Sequence, residues 1–347
     1  MNSEKNTQNT DTNKQNNNKT KQNSCKYTSI GGQALIEGIM MRGPKRTAMA
    51  VRNPAGEIIL EAWDNETSKR AKFFKLPVVR GIFNFIDTLK LGYKCLMRSA
   101  EIAMPEEAEA ERTEKEKRKD SVLLSAAMTL GVILGIALSI GLFIWLPAQL
   151  YTWISSAAPA LENRVLRSIF EGLFRIILFV GYVSLMCLMK DLRRTFEYHG
   201  AEHKTIFCYE AHLPLTVENI RKQRRFHPRC GTSFMILMLL VGIIISMFIT
   251  ITNPLLRTVI KLALLPITVG IGYELIKFCG RHDNVLTRII AAPGLWLQRI
   301  TVHEPDDSMI ECAIAAMNEV IDAEDGIGAV TESQTQSEAK SDTDTNE

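Results

Sequence analysis

Polar tracts and long apolar runs alternate along this chain, and the runs gather in its middle. Four runs predict membrane-crossing helices. Residues 122–150 are uncharged and exceed the roughly 20 residues needed to cross a hydrocarbon core. Residues 168–189 form a second run, in which Glu171 and Arg175 stand four apart and can pair on one helix face. Residues 232–252 form a third. Residues 258–278 form a fourth, interrupted by Pro266, Gly270 and Gly272. Its Glu274 beside Lys277 either snorkels to the interface or serves as an intramembrane acid. Basic residues crowd the ends of these runs unevenly. Lys115, Lys117, Arg118 and Lys119 precede the first, and Arg193, Arg194, Lys204, Arg221, Lys222, Arg224, Arg225 and Arg229 lie between the second and third. The other two connections hold only Arg164, Arg167 and Arg257. The bias predicts that both termini and the loop 190–231 face the cytosol.

The flanks read differently. Residues 1–26 are Asn-, Gln-, Lys- and Thr-rich, with no apolar core of a signal peptide, and predict a disordered tail. Residues 27–74 predict a small cytosolic β-containing element, with two strands around the turn Asn53-Pro54-Ala55-Gly56. Residues 75–120 begin with apolar positions at helical spacing (Val78, Ile82, Phe85, Leu89, Leu96) broken by Lys90, Lys94 and Arg98. That pattern fits an amphipathic helix lying on a membrane or on partner helices, followed by a charged linker. Within 279–322, residues 284–302 predict an interfacial segment and 306–321 a cytosolic helix with Asp306 and Asp307 in its first turn. The tail 323–347 is acidic, Ser/Thr-rich and expected to be disordered. The fold class is therefore a mainly α, polytopic membrane protein with about four transmembrane helices in 121–278. A small cytosolic β-containing N-terminal element and interfacial and cytosolic helices complete it.

Composition narrows the function. A net charge of +3 over 347 residues is too small and too mixed to argue for nucleic acid. The seven cysteines are scattered singly, without a C-x-x-C pair, which suits a reducing compartment. The expected partners are the lipid bilayer and either another membrane protein or further copies of the chain.

Candidate chemistry concentrates in one stretch. His199-Gly-Ala-Glu202-His203 has the form H-x-x-E-H. On a helix both histidines lie on one face, one turn apart, and can reach one divalent metal, zinc above all. Glu202 beside them is the candidate catalytic base, the arrangement of an inverted zinc-hydrolase motif. Gly200 weakens the helix by about 1 kcal/mol. His227-Pro-Arg-Cys230 adds an H-x-x-C pair. His227 or Cys230 is the favoured further ligand; Cys208, Glu210 and Glu274 are alternatives. Four protein ligands would make the metal structural, three would leave a position open. The plainer reading is that His199 and His203 satisfy helix-end carbonyls and meet headgroups, while His227–Cys230 is a turn into the next span.

The segments GGQALIEGIMMRGP (31–44), YHGAEHKTI (198–206), HPRCGTSF (227–234), PGLWLQRIT (293–301) and EPDD (304–307) closely resemble the YqhQ-like bacterial membrane proteins, a family named as a domain of unknown function. The resemblance implies a multipass protein of the bacterial cytoplasmic membrane. The family's description as metal-dependent implies a metal at His199, His203 and nearby groups. Two functions stay open: a metal-dependent hydrolase, and a non-catalytic scaffold or assembly factor that docks a translocation or envelope-assembly complex. A transporter using Glu171, Arg175 and Glu274 is less attractive without inverted repeats.

Overall fold

The computed structural model describes residues 30–65, 72–104, 130–158, 160, 162–282 and 284–325. The tail 1–26, residues 326–347 of the tail expected at 323–347, the charged linker after residue 104 and the first residues of the first apolar run lie outside them; residues 323–325, expected to be disordered, continue the last helix. The described chain is mainly helical, with one small sheet near its start.

Four strands, β1 (Gly31–Leu35), β2 (Gly38–Arg42), β3 (Arg46–Arg52) and β4 (Ile58–Asp64), pair antiparallel in the order β1-β2-β3-β4. The expected turn at Asn53–Gly56 joins β3 to β4, with Gly56 at φ 88° and Glu57 N–H donating to Asn53 Oδ1. The β1–β2 hairpin was not expected. Its residues lack clear polar–apolar alternation because both sheet faces are covered. Ile39, Met41, Ala48 and Ala50 face one core, and Leu35, Met40, Met49 and Val51 face the other.

Helix α1 (Val79–Ala103) closes the second face, placing Cys95 among those four residues. Its first half instead lies along a late helix, α7 (Pro254–Cys279). A Cβ at Gly81 would fall within 3.1 Å of the Gly270 backbone, so the pair permits close helix approach. Arg80 forks onto Glu274, and Asn84 Nδ2 donates to Tyr273 Oη at 2.9 Å. Glu274 is thus held by Arg80 from another helix.

The apolar middle folds into α2 (Leu130–Ala157), α3 (Arg164–Met186), α6 (Gly231–Ser246) and α7. Helices α2, α3 and α7 are long and apolar enough to cross a membrane. The third run behaves differently from its reading. Only 16 residues, α6, are helical, giving a rise of about 24 Å. The run said to be interrupted builds the 26-residue α7, in spite of Pro266 inside it. Five residues of α2, Gly141–Trp145, form a π-helical turn. The expected Glu171–Arg175 pair does not form: Glu171 accepts from Arg167 instead, and Arg175 turns to the Phe143 carbonyl.

Between α3 and α6 lie α4 (Lys190–Glu210) and the short α5 (Val217–Arg221). After α7 come α8 (Val285–Thr301), opened by an Asn284–Thr287 capping box, and α9 (Asp307–Asp325). Asp306 accepts from Met309 N–H at 2.9 Å, which makes the EPDD segment a helix start. Tyr198, Ala201 and Ile206 of α4 pack with Met309, Ala313, Ala316 and Met317 of α9 against the first sheet face. The sheet, α4 and α9 are therefore one packed unit, built from the start, the middle and the end of the described chain.

Candidate metal centre

Three side chains meet between α4 and the start of α6. His199, His203 and Cys230 each offer one ligand atom within 4.8 Å of the others. His199 and His203 share a face of α4 one turn apart, with ring centroids 4.5 Å apart. Helix α4 runs through Gly200 without interruption. The glycine has a steric reason: a Cβ there would collide with the backbone carbonyl of His303. Close contact between α4 and the 302–305 segment outweighs the lost helix propensity.

The other ring nitrogen of each histidine is occupied. Nδ1–H of His199 donates to the Thr301 carbonyl at 2.9 Å, and that of His203 to the Arg225 carbonyl at 2.6 Å. A carbonyl can only accept, so each Nδ1 keeps a proton and each Nε2 is left to face inward. Nε2 of His199 lies 3.0 Å from Cys230 Sγ. Cys230 caps α6: its sulfur accepts from Thr232 N–H at 3.4 Å and stands at the positive end of the helix. Burial opposes charge on these groups, but their mutual attraction prevails. Cys230 is held well below the usual thiol range by His199 and His203, and His199 is raised to about 9 by the facing sulfur.

Glu202 lies beside the three without joining them. It is buried, and burial lifts its carboxyl above the usual range against the pull of His199 and His203. The Gly32 backbone N–H donates to it. A Cβ on Gly32 would fall 2.8 Å from the Glu202 Cγ, so glycine in β1 makes room for this side chain.

His199, His203 and Cys230 all lie within the stretch that matches a known family. Residues 76–323 match the family described as Protein of unknown function (DUF1385). The chain is 34% identical over 294 residues to the "Uncharacterized protein YqhQ" of Bacillus subtilis (strain 168), covering 84% of this chain and 92% of that one. The chain belongs to the DUF1385 family. No solved structure matches it.

In this DUF1385 chain His227 takes a place next to the three rather than among them. Its ring centroid is 5.5 Å from that of His203, but its Nε2 faces Glu210 at 3.9 Å and its Nδ1 accepts from Arg229 N–H. Burial lowers its pKa, keeping the ring neutral. Glu210 pairs with Arg229. Cys208 is buried in the core against the sheet, away from the group. Glu274, on α7, is bound to Arg80.

Gln298 of α8 was not singled out from sequence. It is fully buried and grips the His227 backbone in both directions: Oε1 accepts from its N–H at 2.8 Å, and Nε2 donates to its carbonyl at 2.7 Å. Nε2 also donates to Ser233 Oγ at 2.9 Å. This clamp fixes the turn that delivers Cys230. Within PGLWLQRIT nothing in the spacing marks the glutamine as more than a polar residue on an apolar helix.

Proposed function

We propose that this DUF1385 protein is a metal-dependent hydrolase at the cytosolic face of the bacterial cytoplasmic membrane. Helices α2, α3 and α7 cross the bilayer, with α6 as a shorter fourth span. The sheet, the loop carrying the histidines and α9 stand on the cytosolic side, in line with the basic residues there.

The observation that carries the reading is the pair of Nδ1–carbonyl hydrogen bonds, at 2.9 Å on His199 and 2.6 Å on His203. Once a cation displaces the proton held between His199 Nε2 and Cys230 Sγ, they would present two imine nitrogens and a thiolate to one point, a donor set that fits zinc. His199, His203 and Cys230 would hold the ion, and a zinc ion there would supply a Lewis acid at neutral pH. Glu202, with its raised pKa, would accept and return a proton of the attacking water. Gly32 N–H fixes the orientation of that carboxyl.

The burial of His203, Cys230 and Glu202 supports a second reading, in which a structural metal pins the loop for a partner membrane complex. One experiment separates the two. Metal content by elemental analysis on detergent-purified protein is expected at about one ion per chain, and is expected to vanish in the His199→Ala/His203→Ala double variant. Absence of metal from well-folded wild-type protein, even after zinc is supplied, defeats both readings. Glu202→Gln is expected to keep the ion and remove the protein's in vivo function. A Glu202→Gln strain that behaves as wild type, beside a defective His203→Ala strain, leaves the structural reading.

A further inference from the structure

We propose a second site, at the opposite end of α3, that binds a phosphate-type anion, with an anionic lipid headgroup as its source. It rests on a cluster of cations that outnumber their partners. Glu171 is 1% exposed and accepts from three of them: Arg167 Nε at 2.9 Å, Arg257 Nε at 3.1 Å, and Lys261. Arg175 lies one further turn along α3. Among the described residues Glu171 is the single carboxylate that pairs with this group.

The four cations are not equally satisfied. Arg257 also donates to the carbonyls of Ser246 and Ile249 and to the hydroxyls of Ser168 and Ser246. Arg167 donates to the Ala148 carbonyl and Thr152 Oγ1. These two are locked into structure. Among the described residues Arg175 has one bond, from Nε to the Phe143 carbonyl at 2.6 Å. That carbonyl belongs to the π-helical turn of α2, where widened pairing turns backbone groups toward a neighbour. Arg175 Nη2 is buried and meets no acceptor among the described residues.

A buried guanidinium edge without an acceptor, in a group carrying three more positive charges than negative, is a costly arrangement at membrane depth. A bound oxyanion resolves both faults, since it supplies acceptors and charge together. Arg167 is the fourth residue of α3 and Arg257 the fourth of α7. Much of the cluster therefore stands near one end of two membrane-crossing helices, at the depth where lipid headgroups meet them. A headgroup anchored by acyl chains is already concentrated at that depth, whereas free phosphate must arrive from solution. This site is independent of the metal centre, which lies beyond the other end of α3.

The test uses the full-length protein in nanodiscs and reads its thermal unfolding midpoint. Three conditions are compared: phosphatidylcholine discs, discs of phosphatidylcholine with phosphatidylglycerol, and phosphatidylcholine discs with inorganic phosphate. Phosphatidylglycerol is expected to raise the wild-type midpoint by roughly 4 °C. The gain is expected to disappear in Arg175→Gln and in Lys261→Met. A gain from inorganic phosphate alone keeps the anion site and overturns the lipid as its source. Two results overturn the site itself: no gain from either anion in the wild type, or the same gain in both variants. Should either variant fail to fold, the wild-type comparison still decides.

Discussion

The two polar clusters of this molecule invite comparison, because they are built on opposite plans. At the His–Cys cluster backbone carbonyls engage the outer Nδ1–H of each histidine, and the inner nitrogens and the Cys230 sulfur are left facing one another. At the arginine cluster lone pairs are consumed: one carboxylate is shared by three cations, and N–H groups are left over. The first plan suits a cation and the second an anion. Which groups the backbone has already satisfied decides what a cluster can hold, more than the residue types alone.

The largest effect should come from the arginine cluster. Arg257→Met removes a guanidinium that is 1% exposed and strands Glu171, three carbonyls and two hydroxyls. The expected loss is about 3–5 kcal/mol, read by unfolding of the full-length protein in detergent, with zinc content kept in whatever remains folded. If Arg257→Met costs nothing, the cluster is not an organised centre and the contrast fails. Next comes Gly200→Ala, which forces a methyl into the His303 carbonyl and lifts α4 off the 302–305 segment. A loss of about 1–3 kcal/mol is expected. Metal should fall with it, because the Thr301 carbonyl that orients His199 lies beside that segment.

The smallest effect concerns how the sheet aims α4. Arg194 forks onto Glu37 with both bonds at 2.6 Å, and this holds the Glu37 carboxyl below its usual value of 4.5. A carboxyl lowered in the folded state stabilises at pH above its unfolded value. That contribution fades as pH falls through the folded value. The Glu37 side chain is 30% exposed, so less than about 1 kcal/mol is at stake. Glu37→Gln should lower the unfolding midpoint at pH 7 and converge on wild type as pH falls through the lowered folded-state value of Glu37. A constant difference across that range would assign the effect to packing rather than to the ion pair.

Much of the fold was legible because apolar run length and helical spacing are local properties. The runs at 122–150, 168–189 and 258–278 foretold α2, α3 and α7, and H-x-x-E-H placed His199 and His203 on one helix face. Length misled for α6, because its run continues through residues 247–252, which leave the helix before Pro254. Hairpin β1–β2 was hidden because two-sided burial removes alternation. Helical spacing also suggested Glu171 with Arg175, but i and i+4 positions specify opportunity, not partner. Arg257, 86 residues away, and the π-turn carbonyl of Phe143 claimed them.

The sequence by itself determined which segments are apolar, where the basic residues crowd and which two histidines share a turn. Only the tertiary structure decided that Cys230 joins them while His227 turns to Glu210. It alone brought Gly32, Thr301, Arg225 and Gln298 to fix their orientation. The physical reason is that a hydrogen bond to a backbone carbonyl leaves no mark in residue identity. Every residue but proline carries the same donor and acceptor, and only the path of the chain says which one arrives.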